Sequence, residues 1–93
     1  MALPSSEPLV AVSATLPADV ALHARPAGLL VQEAARLGCS VTIVANGKRA
    51  DAKSILQVLA LGASGGTEIV IEVSGQGAAE AAEHLAGFVA GLS

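Results

Sequence analysis

The chain has 93 residues, a formal net charge of −3 and only five Lys and Arg residues, a size that supports one small core. With no basic tract, the charge balance excludes the phosphate-tracking surface that nucleic-acid binding needs. Apolar runs such as Ile69 to Val73 are too short to span a bilayer, and the start of the chain lacks the basic and long apolar stretches of a secretory signal, so no membrane insertion and a cytoplasmic location are expected.

Hydrophobic residues make up 53% of the chain, and its one Phe is its only aromatic residue. The core must therefore be built from closely packed Ala, Val, Leu and Ile. Residues 1 to 8, with Pro4, Ser5, Ser6 and Pro8, have no apolar period and read as a flexible N-terminal extension. Residues 9 to 93 form the predicted domain. Val10, Val12, Ala14 and Leu16 alternate with Ala11, Ser13 and Thr15, the period of a strand with one buried face. Pro17 ends that strand. Pro26 suits a first helical turn, and Leu29, Leu30, Ala34 and Leu37 recur at helical spacing until Gly38 stops the helix.

Val41, Ile43 and Ala45 alternate again, and Asn46-Gly47 predicts a tight hairpin, because both residues tolerate positive φ. Strands two and three are then antiparallel neighbours. Ile55, Val58, Leu59 and Leu61 suit a short helix of about two turns closed by Gly62. Ser64-Gly65-Gly66 is a loop. Thr67 to Val73 is a β-branched strand with Ile69, Ile71 and Val73 inward, and Gly75 to Gly77 breaks it. Ala81, Leu85, Phe88, Val89 and Leu92 give the last helix an apolar stripe, with Glu80 and Glu83 on other faces.

The order βαββαβα puts a helical crossover between strands one and two, which makes them parallel. Strand four between them makes every neighbour antiparallel. The prediction is an α+β, open-faced two-layer sandwich: a four-stranded antiparallel sheet of order 1-4-2-3, covered on one face by three helices.

The segment Leu22-His23-Ala24-Arg25-Pro26-Ala27 places an imidazole at a strand-to-helix junction, where backbone N–H groups have no intrahelical partners. A phosphoryl group on His23 could accept hydrogen bonds from the N–H groups of Ala24 and Arg25, favoured by the positive helix end. Arg25 can add a guanidinium whose planar fork matches phosphate oxygens. An isolated His-x-Arg is also compatible with an ordinary helix cap and a solvated arginine. Ser54 opens the second helix as an N-cap. Val58 and Leu61 are expected in the core, while a two-turn helix cannot bury all its apolar residues against one sheet, so Leu56 and Leu59 are expected exposed. Cys39 stands alone and reads as a buried or half-buried thiol. His84 reads as structural or solvated. His23 and His84 lack the local Cys or carboxylate spacing of a zinc site, so no metal is expected.

Leu22 to Ala27 resembles the phosphorylation-site signature of the HPr family of histidine-containing phosphocarriers. The resemblance continues through Asn46-Gly47-Lys48 and Ala52-Lys53-Ser54-Ile55-Leu56 to Leu61-Gly62, and covers nearly all of residues 9 to 92. It implies a carrier rather than an enzyme, without a cofactor, that acts as a monomer. In it, phospho-Enzyme I of the sugar phosphotransferase system phosphorylates Nδ1 of His23 and sugar-specific IIA proteins or domains receive the group. The resemblance also matches Ser54 to a serine modified by an HPr kinase, and places Ala24, Ile55, Leu56 and Leu59 in the partner-binding surface. This chain departs from the family's pattern at Ala21, where a glycine is usual, and at Gln32 and Ala35, where basic residues are common. A carrier in a nitrogen-related regulatory or dihydroxyacetone branch, or a non-phosphorylated regulatory docking module, are the alternative readings. An enzyme with His23 as its nucleophile lacks a second acid or base to complete the site.

Overall fold

The computed structural model describes residues 9–92; the N-terminal extension read over residues 1 to 8 lies outside the described residues. The elements run β1 (Leu9–Thr15), α1 (Ala24–Ala35), β2 (Ser40–Ala45), β3 (Lys48–Asp51), α2 (Ile55–Ala60), β4 (Glu68–Ser74) and α3 (Ala78–Ala90). The four strands form one sheet in the order β1-β4-β2-β3. Every neighbouring pair is antiparallel. The order expected from the crossover argument is the order observed.

Strand alternation sends one set of side chains under the helices. Val41, Ile43, Ala45, Ala50, Ile69, Ile71 and Val73 are buried there, with Val10, Val12 and Ala14 partly buried at the β1 edge. The other face carries Ser40, Arg49, Asp51 and Glu68 exposed to solvent. Arg49 on β3 pairs there with Glu72 on β4, reaching across β2 between them. The core is therefore a single aliphatic layer between the sheet and the helices. At about 25 cal/mol per Å² of apolar surface, its burial is the dominant favourable contribution to folding.

Asn46 has φ of 54° and Gly47 φ of 74°, the paired left-handed geometry of the two-residue turn whose twist matches its flanking strands. On α3, Leu85 and Val89 are fully buried, as are Ala78 and Ala82, two small residues that let the helix lie close to the sheet. Phe88 is only partly buried at the margin of this stripe. On α1 the buried residues are Ala27, Leu30 and Ala34; the helix ends at Ala35, short of the Gly38 stop expected, and Leu37 is half-buried in the segment that follows. Leu29 departs from the expected stripe and is 37% exposed. It lies about 100° around the helix from Leu30, beyond the edge of the face that meets the sheet.

Candidate functional site

His23 is placed by a loop held at four points. After β1, Leu16 donates to the Thr67 carbonyl at 3.0 Å and accepts from the Gly66 N–H at 3.0 Å. Val20 closes a local turn onto Pro17 at 3.0 Å, and Leu22 donates to the Ala63 carbonyl at 2.9 Å. The side chains of Leu16, Val20 and Leu22 are buried. His23, next after the anchored Leu22, is exposed. Extended backbone at His23, with φ of −87° and ψ of −171°, turns its side chain away from the one before it. A buried leucine thus aims its neighbour outward.

His23 is the N-cap residue of α1, and its side chain makes no capping hydrogen bond. The ring is left available. Of the backbone donors at this helix end, the His23 N–H bonds the Ala21 carbonyl at 2.8 Å and the Ala27 N–H bonds the His23 carbonyl at 2.9 Å. Pro26 has no N–H to satisfy. The N–H groups of Ala24 and Arg25 are therefore the two donors with no acceptor among the described residues, and both residues are exposed. Two unclaimed N–H groups beside an exposed ring stand at the positive end of a 12-residue helix, an arrangement whose chemistry favours an anion over a cation. The Arg25 side chain takes part in no ion pair among the described residues. Its guanidinium is exposed two residues beyond the imidazole.

The other wall of the site comes from α2 and the segment after it. A shallow depression brings Ala21, Leu22, His23 and Ala24 against Leu59, Gly62, Ala63 and Ser64. Ser54 caps α2, its hydroxyl accepting the Gln57 N–H at 3.3 Å. Val58 and Leu61 are buried as expected, and Ile55, Leu56 and Leu59 are 38%, 78% and 37% exposed. The two residues expected outside are outside, and Ile55 joins them. Leu59 alone of the three lines the depression with His23. Leu29 adds a further exposed apolar side chain on α1.

Three contributors to this geometry had no clear sequence signal. Gly65 reads only as a loop residue, yet a Cβ there would lie 2.1 Å from the Ala18 carbonyl oxygen. Ala63 supplies the carbonyl that fixes Leu22. The Asn46 side chain reaches from the hairpin turn to the Leu61 carbonyl at 3.1 Å. Each acts through a contact between segments that no local window can register.

The remaining candidates stand apart. Cys39 is buried, and its Sγ donates to the Gln76 carbonyl at 3.1 Å. His84 contacts the Glu33 side chain between α3 and α1, and Arg36 lies 3.6 Å from the same carboxylate. Among the described residues no group of three His, Cys, Asp or Glu side chains could hold a metal ion, and no helix is long and apolar enough to cross a membrane.

An open-faced βαββαβα sandwich that presents a histidine at the mouth of its first helix defines a class of small phosphoryl-carrier proteins. Residues 10–91 match the family model described as the PTS HPr component phosphorylation site. The chain is 50% identical over 70 residues to the phosphocarrier protein HPr of Streptomyces coelicolor, covering 74% of this chain and 75% of that one. It is 42% identical over 73 residues to that of Mycoplasma capricolum, 78% of this chain and 82% of that one. The crystal structure of HPr from Bacillus anthracis superposes with a TM-score of 0.82 at 38% identity, covering 87% of this chain and 96% of that one. The chain belongs to the HPr family of phosphocarriers of the phosphotransferase system.

Proposed function

We propose that His23 is the phosphoryl acceptor of this chain, that phospho-Enzyme I is its donor, and that IIA proteins or domains are its acceptors. One observation carries this reading: His23 is exposed beside two N–H groups, those of Ala24 and Arg25, that have no acceptor among the described residues. With its proton on Nε2, the neutral ring offers the Nδ1 lone pair to phosphorus. The new N–P bond forms as the bond to the donor breaks in line, and the developing charge on the three peripheral oxygens meets the two amides and the Arg25 guanidinium. Transfer to a IIA protein reverses these roles, with His23 as the leaving group.

A carrier must hold the group without trapping it. Two backbone donors and one exposed arginine at an exposed helix end suit that balance, since solvent still competes for the phosphate oxygens. Exposure also lets donor and acceptor sites each approach phosphorus from the side opposite the bond that breaks. Ile55, Leu56 and Leu59 supply the apolar surface on which Enzyme I and the IIA proteins dock, with Ala24 at its border. The chain carries phosphate as a cytoplasmic monomer, without a cofactor, and is consumed and regenerated stoichiometrically rather than turning over a substrate of its own.

A regulatory role is the second reading, supported by 44% identity over 68 residues, 73% of this chain and 80% of the other, to the HPr-like protein Crh of Bacillus subtilis, whose solution structure describes it as the catabolite repression HPr. Ser54 is its candidate site, as the target of an HPr kinase. Incubation with Enzyme I and labelled phosphoenolpyruvate tests the main reading. One acid-labile, base-stable phosphate per chain is expected, absent from His23→Ala. Label that persists in this variant rejects His23 as the acceptor, and Enzyme I variants from sugar and nitrogen-related branches separate those two roles by which donor charges the chain.

A further inference from the structure

The side chain of Asn46 reaches further than its turn requires. Asn46 and Gly47 form the β2–β3 turn through their backbone angles, and a glycine at position 46 would adopt those angles at least as readily. The Asn46 Nδ2 amide crosses instead to the end of α2, donating to the Leu61 carbonyl at 3.1 Å and to the Gly62 carbonyl at 3.4 Å. Lys48, on the other side of the turn, brings Nζ to 3.5 Å from the Ala60 carbonyl. One hairpin thus takes successive carbonyls at the end of α2. A helix of six residues is too short to hold its own place in water, and its last carbonyls have no intrahelical donors. What captures those carbonyls decides where the helix end sits.

That helix end is also a wall of the His23 depression. Gly62 is followed by Ala63, whose carbonyl accepts the Leu22 N–H at 2.9 Å, and Leu22 is followed by His23. The route from hairpin to imidazole runs through hydrogen bonds and peptide units and enters by the Asn46 amide, with the longer Lys48 contact at Ala60 beside it. Leu59 lies on the same wall.

We propose that Asn46 is a positioning residue for phosphoryl transfer, its side-chain amide clamping the end of α2 and so setting Leu59 and the Gly62–Ala63 wall against His23. This rests on His23 being the acceptor. Val58 and Leu61 are buried in the core and hold α2 to the sheet independently of the Asn46 side chain, so loss of the amide should loosen the wall without dissolving the helix.

Asn46→Gly keeps the turn and removes the donor; Asn46→Asp keeps nearly the same shape and puts an oxygen where the amide was. Each is compared with the parent chain by amide hydrogen exchange and by transfer from phospho-Enzyme I, with the chain as the varied substrate. Faster exchange is expected at Leu22, Leu61 and Gly62 but not in the sheet, with KM raised about three- to tenfold, the scale of one side-chain hydrogen bond, and kcat changed less than about twofold. Unchanged exchange and KM in both variants would reduce Asn46 to a turn residue and overturn the proposal. Exchange that rises uniformly through the sheet would overturn it equally, as general destabilisation. Failure of the parent chain to accept phosphate would reject the His23 reading instead, while the exchange data would still report whether the clamp exists.

Discussion

The backbone at Gly65 packs so tightly on Ala18 that a Cβ would lie 2.1 Å from the Ala18 carbonyl oxygen and 3.0 Å from that of Pro17. This contact presses the loop before His23 onto the loop before β4. The neighbouring hydrogen bonds, Leu16 with Thr67 and Gly66 and Leu22 with Ala63, depend on the same close approach. Gly65→Ala must push the two backbones apart, because no flexible side chain stands in the way to yield. A cost of about 1–3 kcal/mol is expected, or a melting temperature lower by about 4–8 °C for each kcal/mol in a domain of this size. Calorimetry giving an unchanged melting temperature would show that the loops separate freely.

Arg25 is exposed and in no ion pair among the described residues, so its replacement should leave stability within about 0.5 kcal/mol. Transfer should suffer, since a charge-assisted hydrogen bond to the phosphoryl oxygens is lost. Rapid-quench measurement of transfer to Arg25→Ala should show a rate about tenfold lower or more. Arg25→Lys should recover only part of it, because an ammonium lacks the planar fork. Equal rates in all three chains would remove Arg25 from the chemistry.

On α2, neighbouring positions should separate stability from docking. Val58 is fully buried and Leu56 is 78% exposed. Val58→Ala should destabilise the domain by about 2 kcal/mol through lost burial and a residual cavity. Leu56→Ala should change stability by less than about 0.5 kcal/mol while weakening Enzyme I binding, read by titration calorimetry. Full-strength binding by Leu56→Ala would move the docking surface elsewhere.

Ser54 caps α2 by accepting the Gln57 N–H at 3.3 Å. Ser54→Ala should cost about 1 kcal/mol in denaturant unfolding, the usual worth of an N-cap. Ser54→Asp retains an accepting oxygen and should keep the fold, yet its charge beside Ile55 and Leu56 should weaken Enzyme I binding. Binding equal to that of the parent chain would argue against Ser54 as a regulatory position.

Much of this molecule could be read along the chain because the relevant signals are local. Alternation at Val41, Ile43 and Ala45 marks a half-buried strand, and Asn46-Gly47 forces a tight turn. The crossover before β2 leaves room for β4 beside β1, from which the strand order follows. His23 before Ala24, Arg25 and Pro26 marks a helix mouth with two unclaimed donors. These rest on periodicity, backbone preference and the geometry of helix ends, all expressed within a few residues.

Only the folded chain decided how distant segments meet. Periodicity put both Leu29 and Leu30 near the apolar stripe of α1, and packing against the sheet buried Leu30 alone. The turn signal at Asn46 said nothing of its amide, which found its carbonyls on α2. Gly65 has no room for a Cβ because the Ala18 carbonyl lies against it. A contact between residues far apart in sequence leaves no period to detect, so the aim of His23 and the walls around it emerge only when the loops are packed together.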